Sequence, residues 1–530
     1  KTNSVAVDYG DGVGHVQVDY DKNMIPIIYD ESASTWRVVT DAQLKENVNN
    51  WFNYDSSEKR WANALTVSTS SLQSFRNKQS GVDPDTSIVT VNNPDILGYW
   101  VYIPRYAYEV QRRDATDKYV TEGKFKVVFE TADVVKKYPA ESCNSWITTA
   151  RDMWRDGSPG GPDSDILAKD YRTGCNIDRT YLTSGDEVID TTTWATHPAF
   201  TFGEKELNGF WLGKFETTGT RTNPTIKPNQ HPNVGETIGE FMTMAKSIGV
   251  EDSQNTSGST VDGIKPNTHG LSSATTHLSK NNEWGATVYL ANSDYGNSGG
   301  VLPNTGGSHG SADADGDSTA TSYHSPATGC GNRGANGGQA LSATLIESQK
   351  ACDERYEPDE PTPVAYDGAG GQQSSTTGNI YGVYDMAGGA NELTAGVMTN
   401  GRVTTSSYLE IQVGEPYVDV YSTEDGFGTA PLWSAGADIS SQYYNSDVCT
   451  YETCGGQALY ETHRGMGWNS NGTWGGGYTL FPSSANRFMD RGGNCLGDDG
   501  YKKMNMYFYQ NSDGSTINKN HAYRVTQINV

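Results

Sequence analysis

The chain has 530 residues and a formal net charge of -25, a field that repels phosphate backbones and anionic lipid and so sets nucleic acid aside as a partner. Hydrophobic residues make up 35% and charged residues 19%, while Gly (60) and Tyr (31) are abundant, which is the composition of a loop-rich extracellular β or α+β protein. No apolar run of about 18 residues is available to span a membrane, and Lys1 opens directly into polar sequence, so an exported protein would carry its leader or anchor outside this chain.

From the N-terminus, "SVAVDYG", "HVQVDYD", "MIPIIYD" and "TWRVVT" are β-branched or alternating, separated by Gly, Asp and Asn. That pattern predicts antiparallel strands over the first 40 or so residues, within a β-rich segment 1–94. "DAQLKENVNNWF" predicts a short helix. "DILGYWVYIPRYAYEV" (95–110) is an aromatic strand broken at Pro104, and "KFKVVFE" (124–130) is another strand. Residues 131–195, with "DGSPGGPDSD", form a surface insertion. The core resumes at "HPAFTFGEKELNGFWLGKFETTG" (197–219).

Two helices are predicted next. "VGETIGEFMTMAKSIGV" (234–250) places Ile238, Phe241, Met242 and Ala245 on one face, and "THLSKNNEWGATVYLANS" (276–293) does the same with Leu278, Trp284 and Val288. Residues 294–378 are a second, Gly/Ser/Asp-rich insertion, after which strands return in "RVTTSSYLEIQVG" and "HAYRVTQINV".

The short motifs carry little chemistry. "GGSHG" matches a nucleophile elbow at Ser308, and "GCGNRG" matches a dinucleotide fingerprint, but neither lies between a strand and a helix. Asp313, Asp315 and Asp317 of "DADGD" alternate in a glycine-bearing loop that can turn three carboxylates onto calcium; a solvated acidic loop is the plain alternative. The cysteines suggest the disulfides Cys449–Cys454, Cys143–Cys175 and Cys330–Cys352, leaving Cys495 unpaired. Zinc is the rival reading, without a CxxC pair or clustered histidines behind it.

"GNIYGVYDMAGGANELT" (378–394) resembles the "GLYDMxGNVWEW" signature of the formylglycine-generating, sulfatase-modifying family, whose domain is a variant of the C-type lectin fold. In order along the chain, "HPAFTFGEKELNGFWLGKFETT", "SKNNEWGATVYL" and "RGG…AYRV" (491–525) resemble three further family segments. The resemblance implies an α+β, C-type-lectin-like domain over 95–530. It also implies that catalysis is absent. The oxidising members bind copper through two cysteines after the last "GGS", and the matching positions here are Gly497 and Lys502, so no copper is expected. Of the family's calcium ligands, Glu392 is retained, while Gly389 stands where Asn is found.

Non-catalytic relatives of this fold, the variable proteins of diversity-generating retroelements, diversify the segment between "RGG" and "FRV" to bind ligands. Here residues 490–530 contain Asn494, Asp498, Asp499, Tyr501, Asn505, Tyr507, Tyr509, Asn511 and Asn518, the residue types of adaptable contact loops. An ordinary polar loop has the same composition. The wording of the middle motifs also resembles surface-exposed or prophage-borne proteins of Gram-positive bacteria. The expectation is a non-catalytic protein of an extracellular surface or virion that binds a protein or glycan. The rival is a structural subunit of a filament, pilus or phage particle.

Overall fold

The computed structural model describes residues 2–10, 13–90, 92–109, 125–132, 181–184, 187–190, 194–297, 328–329, 366–399, 416–422, 456, 488–492, 508–511 and 521–529. Within them the fold is mixed and sheet-rich, with few helices, as an α+β composition predicts, and no helix is long and apolar enough to cross a membrane.

The alternating N-terminal stretches form β1 (Thr2–Asp8), β2 (His15–Asp21), β3 (Ile25–Asp30) and β4 (Thr35–Val38), with β1–β2 and β3–β4 paired antiparallel. The burial of β2 alternates, as expected of a strand with one covered face. Helix α1 (Asp41–Glu46) starts at a capping box in which Thr40 and Gln43 satisfy each other's backbone N–H. After β5 (Asn63–Val67) comes α2 (Leu72–Gln79), which the sequence pattern did not announce: its one buried residue is Phe75. Then follow β6 (Ile96–Pro104), β7 (Tyr106–Glu109) and β8 (Val127–Phe129). The break expected at Pro104 falls at Arg105, a buried residue that donates to Glu130 and Glu206 and to the carbonyl of Leu207.

Short strands occupy the next stretch: β9 (Tyr181–Ser184), β10 (Glu187–Asp190), β11 (Trp194–Thr196), β12 (Thr201–Phe202) and β13 (Lys205–Glu206). They lead to β14 (Gly209–Gly213), β15 (Thr218–Thr220) and β16 (Asn223–Thr225). Helix α3 (Ile238–Lys246) is capped by Thr237 and Glu240 and buries Ile238, Phe241, Met242 and Ala245, the face read from the sequence. The helix expected over 276–293 is corrected. Its first residues form β17 (Thr275–Leu278), drawn into a sheet by a distant strand, and only α4 (Asn281–Ala291) is helical.

The C-terminal third contributes β18 (Asn391–Thr399), β19 (Asp419–Ser422), β20 (Phe488–Arg491), β21 (Phe508–Asn511), β22 (His521–Tyr523) and β23 (Val525–Ile528). A seven-stranded antiparallel sheet runs β17-β23-β14-β6-β5-β3-β4. It crosses the 94/95 boundary drawn from sequence, since β3 to β5 lie on one side of that boundary and β6 on the other. A second sheet runs β19-β18-β20-β21, with β22 also on β18.

One hydrophobic cluster extends from Val16 to Ile528. Trp36, Trp51, Trp61, Trp100, Trp211 and Trp284 are fully buried in it. Buried indoles need an acceptor for the ring N–H, and Trp51 donates to the carbonyl of Asn63 at 2.8 Å, Trp61 to that of Tyr295 at 2.9 Å and Trp211 to that of Asp19 at 2.8 Å. The last two of these bonds lace the N-terminal segment to the rest. The strongest lacing is Asp21, whose buried carboxylate accepts from the backbone N–H groups of Asn23, Ser272, Ser273 and Ala274 and from the hydroxyls of Ser272 and Ser273. Burial alone would raise its pKa; the N–H donors outweigh burial and hold it below the ordinary carboxylate value.

Candidate functional site: the anchored roots of the C-terminal segment

The two ends of the segment between "RGG" and "AYRV" are strands β20 and β22, and both lie on β18. In register, Glu392 of β18 faces Arg491 on one side and Ala522 on the other. Two inter-strand spacings separate the segment's ends, about 10 Å. β21 then folds back on β20, so that Tyr509 stands opposite Asp490 and Asn511 opposite Phe488.

Buried charge ties this arrangement together. Arg524, 1% exposed, forks onto Glu392 Oε1 with Nε at 2.9 Å and with Nη2, and also donates to the carbonyls of Gly213 and Tyr384 at 2.8 Å each. A guanidinium is the side chain that can reach a carboxylate and two carbonyls in one plane. One residue therefore links β18, β14 and the "VYDM" turn to the last strand. On the other flank, His521 Nε2 lies 3.2 Å from Asp490 Oδ2, bridging the two roots across β18. The Arg491 guanidinium sits 4.1 Å over the ring of Trp284 in α4, and Tyr523 stacks on Phe241 of α3 at 4.6 Å. Both helices are thus packed against the roots.

Next to the ion pair is a second carboxyl. Glu216 is fully buried; its Oε1 accepts from the N–H of Ala390 at 2.8 Å, and Oε2 has no hydrogen-bond partner among the described residues. Burial, reinforced by Asp385 and Glu392 and only partly opposed by Arg524, pushes Glu216 well above the carboxylate range. Burial thus favours its neutral form at the base of the turn. That turn needs its glycines: Gly389 has φ +71°, and a Cβ there would lie 2.9 Å from Glu216 Oε1. The N–H of Gly388 then donates to the carbonyl of Gly492, closing the turn on the start of the segment at 2.8 Å.

Lys214 supports the turn from the opposite side. Its buried ammonium donates to Asn63 Oδ1 at 2.8 Å and to the carbonyls of Ile380 and Gly382. Desolvation pulls this lysine well below its usual pKa. Three acceptors nevertheless require three N–H donors, which only the protonated form supplies.

Of the residues read from sequence, Asn494, Asp498, Asp499, Tyr501, Asn505, Tyr507 and Asn518 lie outside the described residues, while Tyr509 and Asn511 occupy β21. Asp313, Asp315 and Asp317, all three cysteine pairs and Cys495 also lie outside them. Glu392 is the carboxylate of the Arg524 ion pair, and burial raises its pKa although Arg524 opposes this. A calcium shell takes six to eight oxygens; Glu392 has one oxygen held by the guanidinium, and no group of three or more His, Cys, Asp or Glu among the described residues is placed to hold a metal. The segments "AYRV" and "GKFETT" give no sign in sequence that Arg524 and Glu216 are buried around one turn. Each charged residue sits just outside a strand, between β14 and β15 for Glu216 and between β22 and β23 for Arg524, where a charge gives no sign of burial. No protein-family model and no curated protein matches the chain.

Proposed function

We propose that the chain is a non-catalytic binding protein of an extracellular surface or virion, built on a C-type-lectin-like fold that presents residues 493–520 to a protein or glycan ligand. The observation that carries this reading is the pairing of Arg491 and Ala522 on opposite sides of Glu392. Anchoring both ends of a segment to one buried strand lowers the ordering cost of whatever it binds. Tyr501, Tyr507 and Tyr509 would supply flat amphipathic area, and Asn494, Asp498, Asp499, Asn505, Asn511 and Asn518 directional hydrogen bonds. In this reading the chain needs no copper, and incubation with copper and a cysteine-bearing peptide yields no aldehyde.

The test is a glycan array and a bacterial surface-protein array probed with the parent chain and with a Tyr501→Ala/Tyr507→Ala/Tyr509→Ala variant. The parent binds a defined subset, and the variant loses that signal with unchanged melting. Equal binding by the variant overturns the reading.

A second reading, a filament or particle subunit, is favoured by β1. Its only strand partner among the described residues is β2, and most of its side chains are exposed, so its outer edge can accept a strand from a neighbour. Regular filaments in electron micrographs that vanish on deleting residues 2–8 would put this reading first.

A further inference from the structure

We propose that the cavity beside the C-terminal end of α3, where the carboxylate of Glu251 and the ammonium of Lys265 flank an apolar wall of Val250, Ile264 and Pro266, binds a small zwitterion of the α-amino acid class. The cavity holds about 300 Å³, the lower limit of ligand pockets, which suits a molecule of amino-acid size.

Its lining excludes other classes. No aromatic side chain lines it among the described residues, so they offer neither the platform on which a nucleobase stacks nor the flat ring against which the apolar face of a sugar packs. Charges of both signs are present, and the exposed Glu251 and Lys265 make no ion pair or hydrogen bond with any side chain among the described residues. Asn255 adds an amide with a donor and an acceptor. A ligand carrying an ammonium and a carboxylate on one carbon, with a short aliphatic side chain, satisfies all of these at once. A monovalent cation or anion satisfies only one.

The wall is held in place before any ligand arrives. Lys246 Nζ donates to the carbonyl of Ser257 at 2.8 Å, Thr243 Oγ1 to that of Ser259, and Asp252 accepts from the Tyr417 hydroxyl and from the N–H of Gln254 at 2.8 Å. At the floor, the hydroxyls of Ser247 and Thr276 give their protons to the carbonyls of Met244 and Ala245, at 2.7 Å each. Selectivity is therefore left to Glu251, Lys265 and Asn255. These residues are separate in sequence from 493–520, so the result leaves the function proposed above untouched.

The full chain is titrated calorimetrically with L-valine, with isobutylamine, which lacks the carboxylate, and with isovalerate, which lacks the ammonium. Valine binds saturably, and each analogue binds roughly tenfold more weakly or not at all, the effect of one lost charge-assisted contact. Lys265→Ala and Glu251→Gln each weaken valine by a similar factor with unchanged melting, because both side chains are exposed. The absence of saturable heat with valine at millimolar concentration, analogues that bind as tightly as valine, or variants that bind like the parent would each overturn the proposal.

Discussion

Glu392 and Arg524, buried to 1% exposure each, are joined by a forked ion pair at the strand that carries both roots of the C-terminal segment. Because Arg524 also satisfies the carbonyls of Gly213 and Tyr384, shortening it to lysine leaves acceptors bare. Arg524→Lys keeps the charge but loses these contacts and should destabilise the protein by about 2–3 kcal/mol, the cost of leaving buried acceptors unsatisfied. Urea denaturation measures it. A loss under about 1 kcal/mol, the range of exposed pairs, would show that the fork carries little.

Glu216 predicts the opposite behaviour for a buried acid. Its folded pKa is raised, so its favourable contribution is full below the ordinary carboxylate pKa and declines as pH rises toward the folded value. Glu216→Gln keeps an acceptor for the N–H of Ala390 and removes the ionisation. The variant should equal or exceed the parent in stability at pH 7, by about 1 kcal/mol, and lose that advantage near pH 4. Denaturation curves at the two pH values decide it; a variant weaker at pH 7 than at pH 4 would mean that Glu216 works as an anion.

Asp21 tests how firmly the N-terminal strands belong to the fold. Asp21→Ala strips an acceptor from four backbone N–H groups and two hydroxyls. Charge-assisted bonds are each worth about 1.5–3 kcal/mol, and water recovers part of the total. A loss of about 3–5 kcal/mol is expected, read from the midpoint of urea unfolding. A loss of a few tenths would mean that the 272–274 turn holds without it.

These relationships show where sequence is legible. β1 to β4 are readable because strand alternation is local, and α3 because Ile238, Phe241, Met242 and Ala245 recur at helical spacing. Helix α2 is not readable, because "LQSFRNKQ" offers only Phe75 and the half-buried Leu72 to the core and its helicity depends on packing. β17 was read as helix because its partner, β23, lies far along the chain, and a local window cannot weigh that pairing. The same distance hid the frame: Arg524 and Glu392 are 132 positions apart. The motifs marked the frame's ends, but not that Glu216, Glu392 and Arg524 meet beneath one glycine turn.

Two buried histidines make the final prediction. His269 donates from Nε2 to the carbonyl of Pro224 at 3.0 Å and accepts at Nδ1 from Thr66 at 2.7 Å, and burial lowers its pKa to about 4. His197 donates from Nε2 to the carbonyl of Gly456 at 2.9 Å and accepts at Nδ1 from the N–H of Ala199, and burial lowers it to about 3. Each folded pKa lies below the ordinary imidazole value of about 6.5, so the unfolded chain binds the proton first. Their contribution is therefore full above about pH 6.5 and is lost as pH falls toward 4. For His269 the loss is on the order of 3 kcal/mol. The window lies above the acid limb of Asp21 and Glu283, whose lowered pKa values place their loss below about pH 4. Stability measured at half-unit steps should fall between pH 6.5 and 4, and His269→Gln, less stable at pH 8, should fall less steeply. If the parent's stability is flat across that interval, or the variant's slope is unchanged, His269 is not the neutral, doubly bonded ring described.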